Sequence, residues 1–277
     1  PRTGESTLMS ATILPHFLST AWSNNRKEVI SVFRDGSAIK LRYFNYATKQ
    51  GSPLEAGARS AVFSPDGSLI AYFRNLDEGR GEIILAQPNG SGQKRILATR
   101  IASPRLTWID QERLSVFISD DGTGLGYLLK LSVDGDLEAA TEPQLGMEAL
   151  WSPDGSHLLL SFFDGDGNLG LYIQRAGEDP EPLGIPGYAS HCTWALDGTA
   201  VFCGVPQSPV LFGKTDPTMV VSESIYRITI ADKTSKTIFA PQKGDMRISV
   251  ENIFLSSLED VVVFINGFDG KLYGVAL

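Results

Sequence analysis

The sequence lacks both a long apolar run and an excess of positive charge. A membrane-spanning helix needs about 20 consecutive apolar residues, and the longest apolar runs here, around Leu158–Leu160 and Val261–Ile265, are far shorter. The 277 residues include 24 Lys and Arg against 32 Asp and Glu, a net charge of -8. Nucleic-acid binding needs clustered positive charge. We therefore expect no direct membrane insertion by this segment and no nucleic-acid partner.

Histidine and catalytic motifs are scarce as well. The three histidines, His16, His157 and His191, are too scattered to form a metal cluster. Neither the Gly-x-Ser-x-Gly motif of serine hydrolases nor the His-Glu-x-x-His motif of metalloproteases occurs. We therefore predict no catalytic residue, no metal and no cofactor, although a Ser-His-Asp site assembled in space stays open.

Three short segments resemble ligand loops by letter only. Gly165–Gly170 fits the dinucleotide pattern, but a strand-like segment follows it where a helix is required. Gly213-Lys214-Thr215 resembles the end of a phosphate loop, yet Ser208 stands where that loop needs its first glycine. The run from Asp164 to Asn168 alternates oxygen ligands like a calcium loop, but Arg175 replaces the bidentate glutamate. None of the three is predicted to bind.

The only two cysteines stand on either side of an Asp-Gly turn. A hairpin centred on Asp197-Gly198 places Cys192 opposite Cys203. Residues opposed in this way have Cα atoms about 4.5 to 5.5 Å apart, within disulfide range. A disulfide would indicate an oxidising compartment. The alternative is a pair of small buried residues in a reduced cell.

An aromatic residue followed by a turn recurs along the chain. The spacing is 41 to 45 residues up to the fifth copy and 60 to the weaker sixth. The copies are Trp22, Phe63, Trp108, Trp151, Trp194 and Phe254. Phe63 and Trp151 are followed by Ser-Pro-Asp-Gly, in which proline presets the first turn residue and Asp-Gly reverses the chain. Each period has room for four strands, which is typical of a β-propeller blade.

The aromatic-Ser-Pro-Asp-Gly motif, followed by a strand of small and aromatic residues, resembles the WD-like repeats of the TolB propeller family. The resemblance spans nearly the whole chain. It implies an all-β, six-bladed β-propeller with four-stranded antiparallel blades. That family includes periplasmic scaffold proteins, the propellers of prolyl oligopeptidase-like and tricorn-like proteases, and some sugar lyases, so the motif is specific for fold and not for function.

We predict a single domain over residues 1–277. The expected blades cover 13–55, 56–99, 100–142, 143–185, 186–241 and 242–277. The last blade offers three strands, and we expect residues 5–12 to add the fourth, so that no sheet edge stays exposed. The chain begins at Pro1 without a methionine, which suggests a processed or excised piece.

Polar residues stand three positions before each aromatic, where the strand is otherwise apolar. Those of the third to sixth blades are Arg105, Glu148, His191 and Glu251. This register predicts side chains that face the axial channel. They form either a paired, water-filled lining or a pocket for a polar ligand.

The loops between the second and third strands are acidic, and one of them is long. The acidic residues selected there are Asp77, Glu78, Asp120, Asp121, Asp164 and Asp166. They would attract a basic partner, although Asp and Gly are also common in tight loops. The fifth blade inserts Val205 to Glu223, an apolar segment that includes Phe212. It either contributes to a partner surface or caps the channel, unless it is family drift.

These features favour a non-catalytic scaffold propeller outside the cytoplasm, in the periplasm or at the cell surface. We expect a protein or peptide partner, a basic one by charge, and a monomeric chain. The alternative is an enzyme-associated propeller. It would be either the gating domain of a serine peptidase or a channel that binds a polar ligand or sugar.

Overall fold

The turn after each repeated aromatic residue sets the local structure. In the second repeat the hydroxyl of Ser64 donates to Asp66 Oδ1 at 2.7 Å, and the amide of Gly67 donates to the Ser64 carbonyl at 2.8 Å. Gly67 has a φ of 75°, which disfavours side chains with a Cβ. In the fourth repeat Ser152 donates to Asp154 in the same way, at 2.6 Å. The predicted reversal of the chain is therefore present in both copies.

The computed structural model describes residues 14–76, 79–101, 103–119, 124–175, 177–213, 221–242 and 246–277. The chain divides into two compact units. The first unit contains residues 1–118 and 129–140, and the second contains residues 119–128 and 141–277.

The first unit begins with two four-stranded antiparallel sheets, each in chain order. Their strands are β1 (Phe17–Trp22), β2 (Glu28–Asp35), β3 (Ala38–Asn45), β4 (Gln50–Pro53), β5 (Ala58–Phe63), β6 (Ile70–Asn75), β7 (Gly81–Ala86) and β8 (Lys94–Thr99). The third sheet runs through β9 (Arg105–Trp108), β10 (Arg113–Ser119), β11 (Leu125–Ser132) and β12 (Leu137–Ala139).

The second unit continues the pattern. Its first short strand, β13 (Gln144–Leu145), pairs with the start of β11. The fourth sheet contains β14 (Glu148–Trp151), β15 (His157–Phe163), β16 (Leu169–Arg175) and β17 (Glu181–Pro182). A 3₁₀ turn, Ala189–His191, leads into the fifth, made of β18 (Cys192–Trp194), β19 (Ala200–Pro206), β20 (Glu223–Thr229) and β21 (Ser235–Phe239). The sixth contains β22 (Val250–Leu255), β23 (Val261–Asn266) and β24 (Leu272–Ala276).

Among the described residues the strands thus form six antiparallel sheets, and the one helical segment is the 3₁₀ turn. This confirms the predicted all-β class and its six successive blades. The extent of the single domain stays a prediction.

The core lies between successive sheets within each unit. In the second unit Leu159 and Leu171 of the fourth sheet pack with Val201 and Ile228 of the fifth, all 1% exposed or less. Two of the repeated tryptophans also bond the sheet before their own. Trp194 Nε1 donates to the carbonyl of Leu150, and in the first unit Trp108 Nε1 donates to that of Val62, each at 3.2 Å. Each sheet is therefore covered by a neighbour, as its two apolar faces require.

The sixth repeat departs from this pattern. Phe254 is 49% exposed, and a bulge shifts the register between Glu251 and Phe254. By pairing register Leu255 takes the position that Trp194 holds in the fifth sheet, and it packs against Val262. The weak sixth copy of the motif is thus weak because an aliphatic residue, Leu255, fills the aromatic position.

The predicted closing strand, residues 5–12, lies outside the described residues. Where the structure describes it, the sixth sheet ends at β24, whose Leu272 is 65% exposed. The closure stays a prediction.

Deletion of residues 1–12 tests the closure. We expect a lower melting temperature, because the segment would otherwise pair with the last strand and cover its edge. The control keeps the length and replaces residues 5–12 by Gly and Ser. Melting of the deletion variant at the wild-type temperature would contradict the closure.

Candidate functional site

A buried carboxylate and a histidine form the centre of the candidate site in the second unit. Glu223, the first residue of β20, is 2% exposed, and its Oε1 lies 2.8 Å from Nδ1 of His191. Its second oxygen, Oε2, accepts the backbone amide of Val250 at 2.5 Å. Glu223 therefore joins the 3₁₀ turn that precedes the fifth sheet to the first strand of the sixth.

Two more glutamates face the same histidine. Glu148, at the start of β14, accepts the amide of Ser190 through Oε2 at 2.8 Å. Glu251, on β22, contributes a further negative charge near His191. We call Glu148, His191, Glu223 and Glu251 the acidic cluster.

Glycines leave room for two of these carboxylates. A Cβ on Gly204 would lie 3.0 Å from Glu223 Oε2, and a Cβ on Gly267 would lie 2.6 Å from Glu251 Oε1. A larger residue at either position would displace the carboxylate beside it. At Gly204 the added atom would also lie 2.7 Å from Val250 Cβ, so that position requires glycine, whereas the exposed Glu251 side chain can move aside at Gly267.

The charges of the cluster determine the ionisation of His191. Burial by itself would lower the pKa of the imidazole. The hydrogen bond to Glu223 and the negative charges of Glu223, Glu148 and Glu251 together outweigh burial, so the pKa is raised above the ordinary value of 6.5. Tyr188, whose ring centre lies 5.4 Å from that of His191, has its phenol pKa raised by burial and by the charges of Glu148 and Glu223.

The first unit shows how a buried glutamate is compensated elsewhere in this chain. Glu82 is 6% exposed and pairs with Arg74 at 2.5 Å and Arg95 at 3.1 Å. Arg74 also pairs with Glu55, so two guanidinium groups balance two carboxylates there. The acidic cluster instead places three carboxylates around one imidazole, which is an excess of negative charge.

The structure brings together three of the four residues selected from the channel register. Glu148, His191 and Glu251 belong to the acidic cluster. Arg105 lies in the first unit, where its guanidinium stacks over the ring of Phe117 at 4.7 Å. Sequence reasoning missed Glu223 as a site residue, because it was treated as the end of the insertion. The alternating pattern of Ser-Ile-Tyr-Arg-Ile after it could have marked it as the first residue of a strand.

The acidic loops are placed only in part. Asp77, Glu78, Asp120 and Asp121 lie outside the described residues. Asp164 Oδ1 accepts the amides of Asp166 and Asn168, at 2.9 and 2.8 Å, so this carboxylate stabilises its own turn. The hydrogen bonds with Asn168 are the main cause that lowers the pKa of Asp164.

The described part of the insertion lies along the loop between β15 and β16. The amide of Phe212 donates to the carbonyl of Gly167 at 2.9 Å, and the Phe212 ring lies 5.4 Å from that of Phe163. The Phe212 side chain is still 50% exposed. Beside it is an open cavity of about 300 Å³, lined by Asn168, Leu169, Pro186, Pro206, Gln207, Ser208, Pro209 and Val210.

The two cysteines form a disulfide next to the acidic cluster. Cys192 pairs with Cys203 across β18 and β19 in the predicted register, with Cα atoms 4.1 Å apart. Cys192 directly follows His191, and Cys203 directly precedes Gly204. The bridge therefore fixes the backbone on both sides of Glu223.

One Ser-His-Asp contact occurs in the second unit, but its order is unsuitable for catalysis. Ser156 Oγ lies 2.7 Å from both His157 Nδ1 and Asp154 Oδ2. The serine thus stands between the other two groups, whereas an activated nucleophile needs the histidine between serine and aspartate.

Three solved structures are similar to this chain in fold. An oligogalacturonate lyase in complex with manganese has a TM-score of 0.68 and 13% identity, with 93% of this chain and 76% of the lyase chain covered. TolB from Acinetobacter baumannii has a TM-score of 0.57 and 14% identity, with 82% and 55% covered. An acylaminoacyl peptidase in complex with Z-Gly-Gly-Phe-chloromethyl ketone has a TM-score of 0.63 and 15% identity, with 95% and 46% covered.

The chain has the TolB-type β-propeller fold. This confirms the resemblance inferred from the repeats. No sequence-family model and no curated protein matches the chain.

The prediction of a non-catalytic scaffold is wrong. The solved structures that share this propeller fold include lyases and the propellers of acylaminoacyl peptidase and prolyl endopeptidases, alongside TolB. These neighbours favour the alternative, a propeller associated with an enzyme. The error arose because the repeats specify the fold and the absence of a catalytic motif was then given too much weight.

The manganese of the lyase has no equivalent donor set among the residues described for this propeller. Within those residues, no group of three or more His, Cys, Asp and Glu side chains is arranged to hold a metal ion. In the described parts of the chain there is also no helix long and apolar enough to span a bilayer.

Glu223→Gln tests the electrostatics of the cluster. We expect the pKa of His191 to fall from its raised value, because burial then opposes protonation without the hydrogen-bonded charge of Glu223. The measurement is an NMR titration, in which His191→Gln assigns the signal among three histidines. Glu251→Gln is the control and should lower the pKa less. An unchanged pKa in Glu223→Gln would contradict this account.

The same shift predicts how stability depends on pH. Because the pKa of His191 is raised in the folded state, its protonation stabilises the fold. This stabilisation is complete below the unfolded pKa of 6.5 and is lost as pH rises through the folded pKa. Urea unfolding of the wild type should therefore show a loss of stability over that interval. His191→Gln should lack this loss; the same loss in both proteins would assign it to another group.

Replacement of both cysteines by alanine tests the disulfide. The bridge spans 11 residues, and closing a loop of this order stabilises a protein by roughly 2 to 3 kcal/mol. The urea midpoint of the wild type should fall on addition of a dithiol reductant, whereas that of the double variant should not respond. An unchanged urea midpoint of the wild type after full reduction of the disulfide would contradict the stabilising role of the bridge.

Proposed function

We propose that this chain is an enzyme-associated propeller whose acidic cluster binds a polar, non-anionic group of a substrate. The observation that carries the proposal is the buried Glu223–His191 pair flanked by Glu148 and Glu251. Ligand sites commonly combine a concave surface with a few converging polar groups whose pKa values are perturbed.

The charge of the cluster selects among ligand classes. Three carboxylates around one imidazole favour a cationic group or a hydroxyl-rich neutral group and disfavour an anionic one. An anionic uronate is therefore a poor match, even though an oligogalacturonate lyase shares the fold. Two ligands of the proposed class are a peptide with a free amino end and a neutral oligosaccharide.

The disulfide supports a location outside the cytoplasm. Disulfides form and persist mainly in oxidising compartments, and Cys192 and Cys203 are the two cysteines of the chain. We therefore propose that this propeller works outside the cytoplasm.

Calorimetric titration with three probes tests the proposal. The probes are Gly-Gly-Phe amide with a free amino end, cellotetraose and trigalacturonate. We expect one of the first two to bind and trigalacturonate not to bind. Binding of the peptide would favour a peptidase-associated propeller, and binding of the neutral sugar a sugar-binding channel.

Two variants locate the bound probe. Glu148→Gln and Glu251→Gln should each weaken binding about tenfold, since hydrogen bonds to charged groups contribute roughly 1.5 to 3 kcal/mol. Glu178→Gln, on the turn between β16 and β17, is the matched control and should bind as the wild type does. Preference for trigalacturonate, binding of no probe, or equal loss in all three variants would contradict the proposal.

A further inference from the structure

The 3₁₀ turn Ala189–His191 is held by side chains more than by backbone pairing. The amide of Ala189 donates to Ser161 Oγ at 3.0 Å, and that of Ser190 donates to Glu148 Oε2 at 2.8 Å. The amide of His191 donates within the turn to the carbonyl of Tyr188 at 3.0 Å. The turn therefore depends on groups from the fourth sheet for two of its three amides.

His191 connects the 3₁₀ turn to the sixth sheet. Its Nδ1 meets Glu223 on β20, and the second oxygen of Glu223 accepts the amide of Val250 on β22. The chain of contacts runs from the turn through one side chain pair to the sixth sheet. None of these contacts is a regular sheet pairing. The strength of the connection therefore depends on the charge of the imidazole.

The groups that face His191 come from every element packed against the turn. Glu148 belongs to β14, Glu223 to β20 and Glu251 to β22, and Tyr188 directly precedes the turn. From β15 the turn receives Ser161, whereas the titratable residue of that strand, His157, lies near Trp194 at a ring distance of 6.3 Å. β19 contributes the disulfide, which does not titrate. Among the described residues, the charged groups named at the ring are thus three carboxylates.

We propose that His191 is a pH-sensitive latch that fastens the 3₁₀ turn to Glu223 when it is protonated and loosens the turn when it is neutral. The protonated ring is held to Glu223 by charge attraction as well as by the hydrogen bond, whereas the neutral ring keeps only a hydrogen bond to the carboxylate. Loss of the proton also leaves three carboxylates near one another without an opposing charge from the ring. Both changes weaken the turn at the same step of the titration.

The latch is a local device within the second unit, so it needs no bound ligand. Its failure would leave the proposed ligand site intact, and the absence of a ligand would leave the latch intact. A measurement on the free protein therefore separates the two proposals.

Hydrogen exchange of single amides tests the latch. Protection of the Ser190 and His191 amides, corrected for the intrinsic pH dependence of exchange, should fall about fivefold as pH rises through the His191 titration. The control amides are Leu158–Leu160 in the middle of the fourth sheet, whose protection should stay constant. NMR titration of the His191 ring gives the pH at which the change must occur.

Two variants complete the test. His191→Gln is neutral at every pH and should show the low protection throughout, with no step. Glu223→Gln keeps an amide oxygen for the Val250 amide but removes the charge, and should shrink the step. Constant protection of Ser190 and His191 across the wild-type titration, or a step of equal size in His191→Gln, would overturn the latch.

Discussion

Burial of both faces of each sheet is the constraint on which this structure depends. A four-stranded antiparallel sheet with apolar side chains on both faces cannot be stable in water unless a neighbour covers it. The repeated tryptophan meets this requirement between successive sheets: Trp194 packs in the core and bonds the carbonyl of Leu150 in the sheet before it. In the second, fourth and fifth sheets an Asp-Gly turn then returns the chain in register, so that the next strand buries its apolar side chains.

The same arrangement produces the acidic cluster. Glu148 and Glu251 lie on the first strands of their sheets, and His191 lies on the turn that leads into such a strand. The residues that follow them on the strand pack in the core. Polar side chains can therefore lie at the start of the strand, before the core begins. Glu223 joins them from a different strand, because the long connection between β19 and β20 returns the chain opposite Pro206 and leaves the Glu223 carboxylate beside Gly204.

Fold and function are separate conclusions here. The likeness to solved propellers, at 10 to 15% identity, establishes the fold, and the lyases and peptidases among them favour an enzyme-associated propeller over a scaffold. The proposed role rests instead on local charge. A buried carboxylate whose charge is matched by arginines, as that of Glu82 is in its network with Arg74, Arg95 and Glu55, stabilises a structure. A cluster with surplus negative charge is suited to a ligand that supplies the missing positive charge or hydroxyl donors.

The sequence by itself determined the repeat, the all-β class, the order of strands and the pairing of Cys192 with Cys203. Each of these follows from local rules, since turn residues fix a hairpin and a hairpin fixes which residues oppose one another. The channel register also selected Glu148, His191 and Glu251. Only the tertiary structure decided that Glu223 completes this group, that Leu255 takes the aromatic position of the sixth sheet, and that Arg105 stacks on Phe117. The reason is physical: contacts between strands that are distant in sequence depend on how sheets pack, and no local pattern records them.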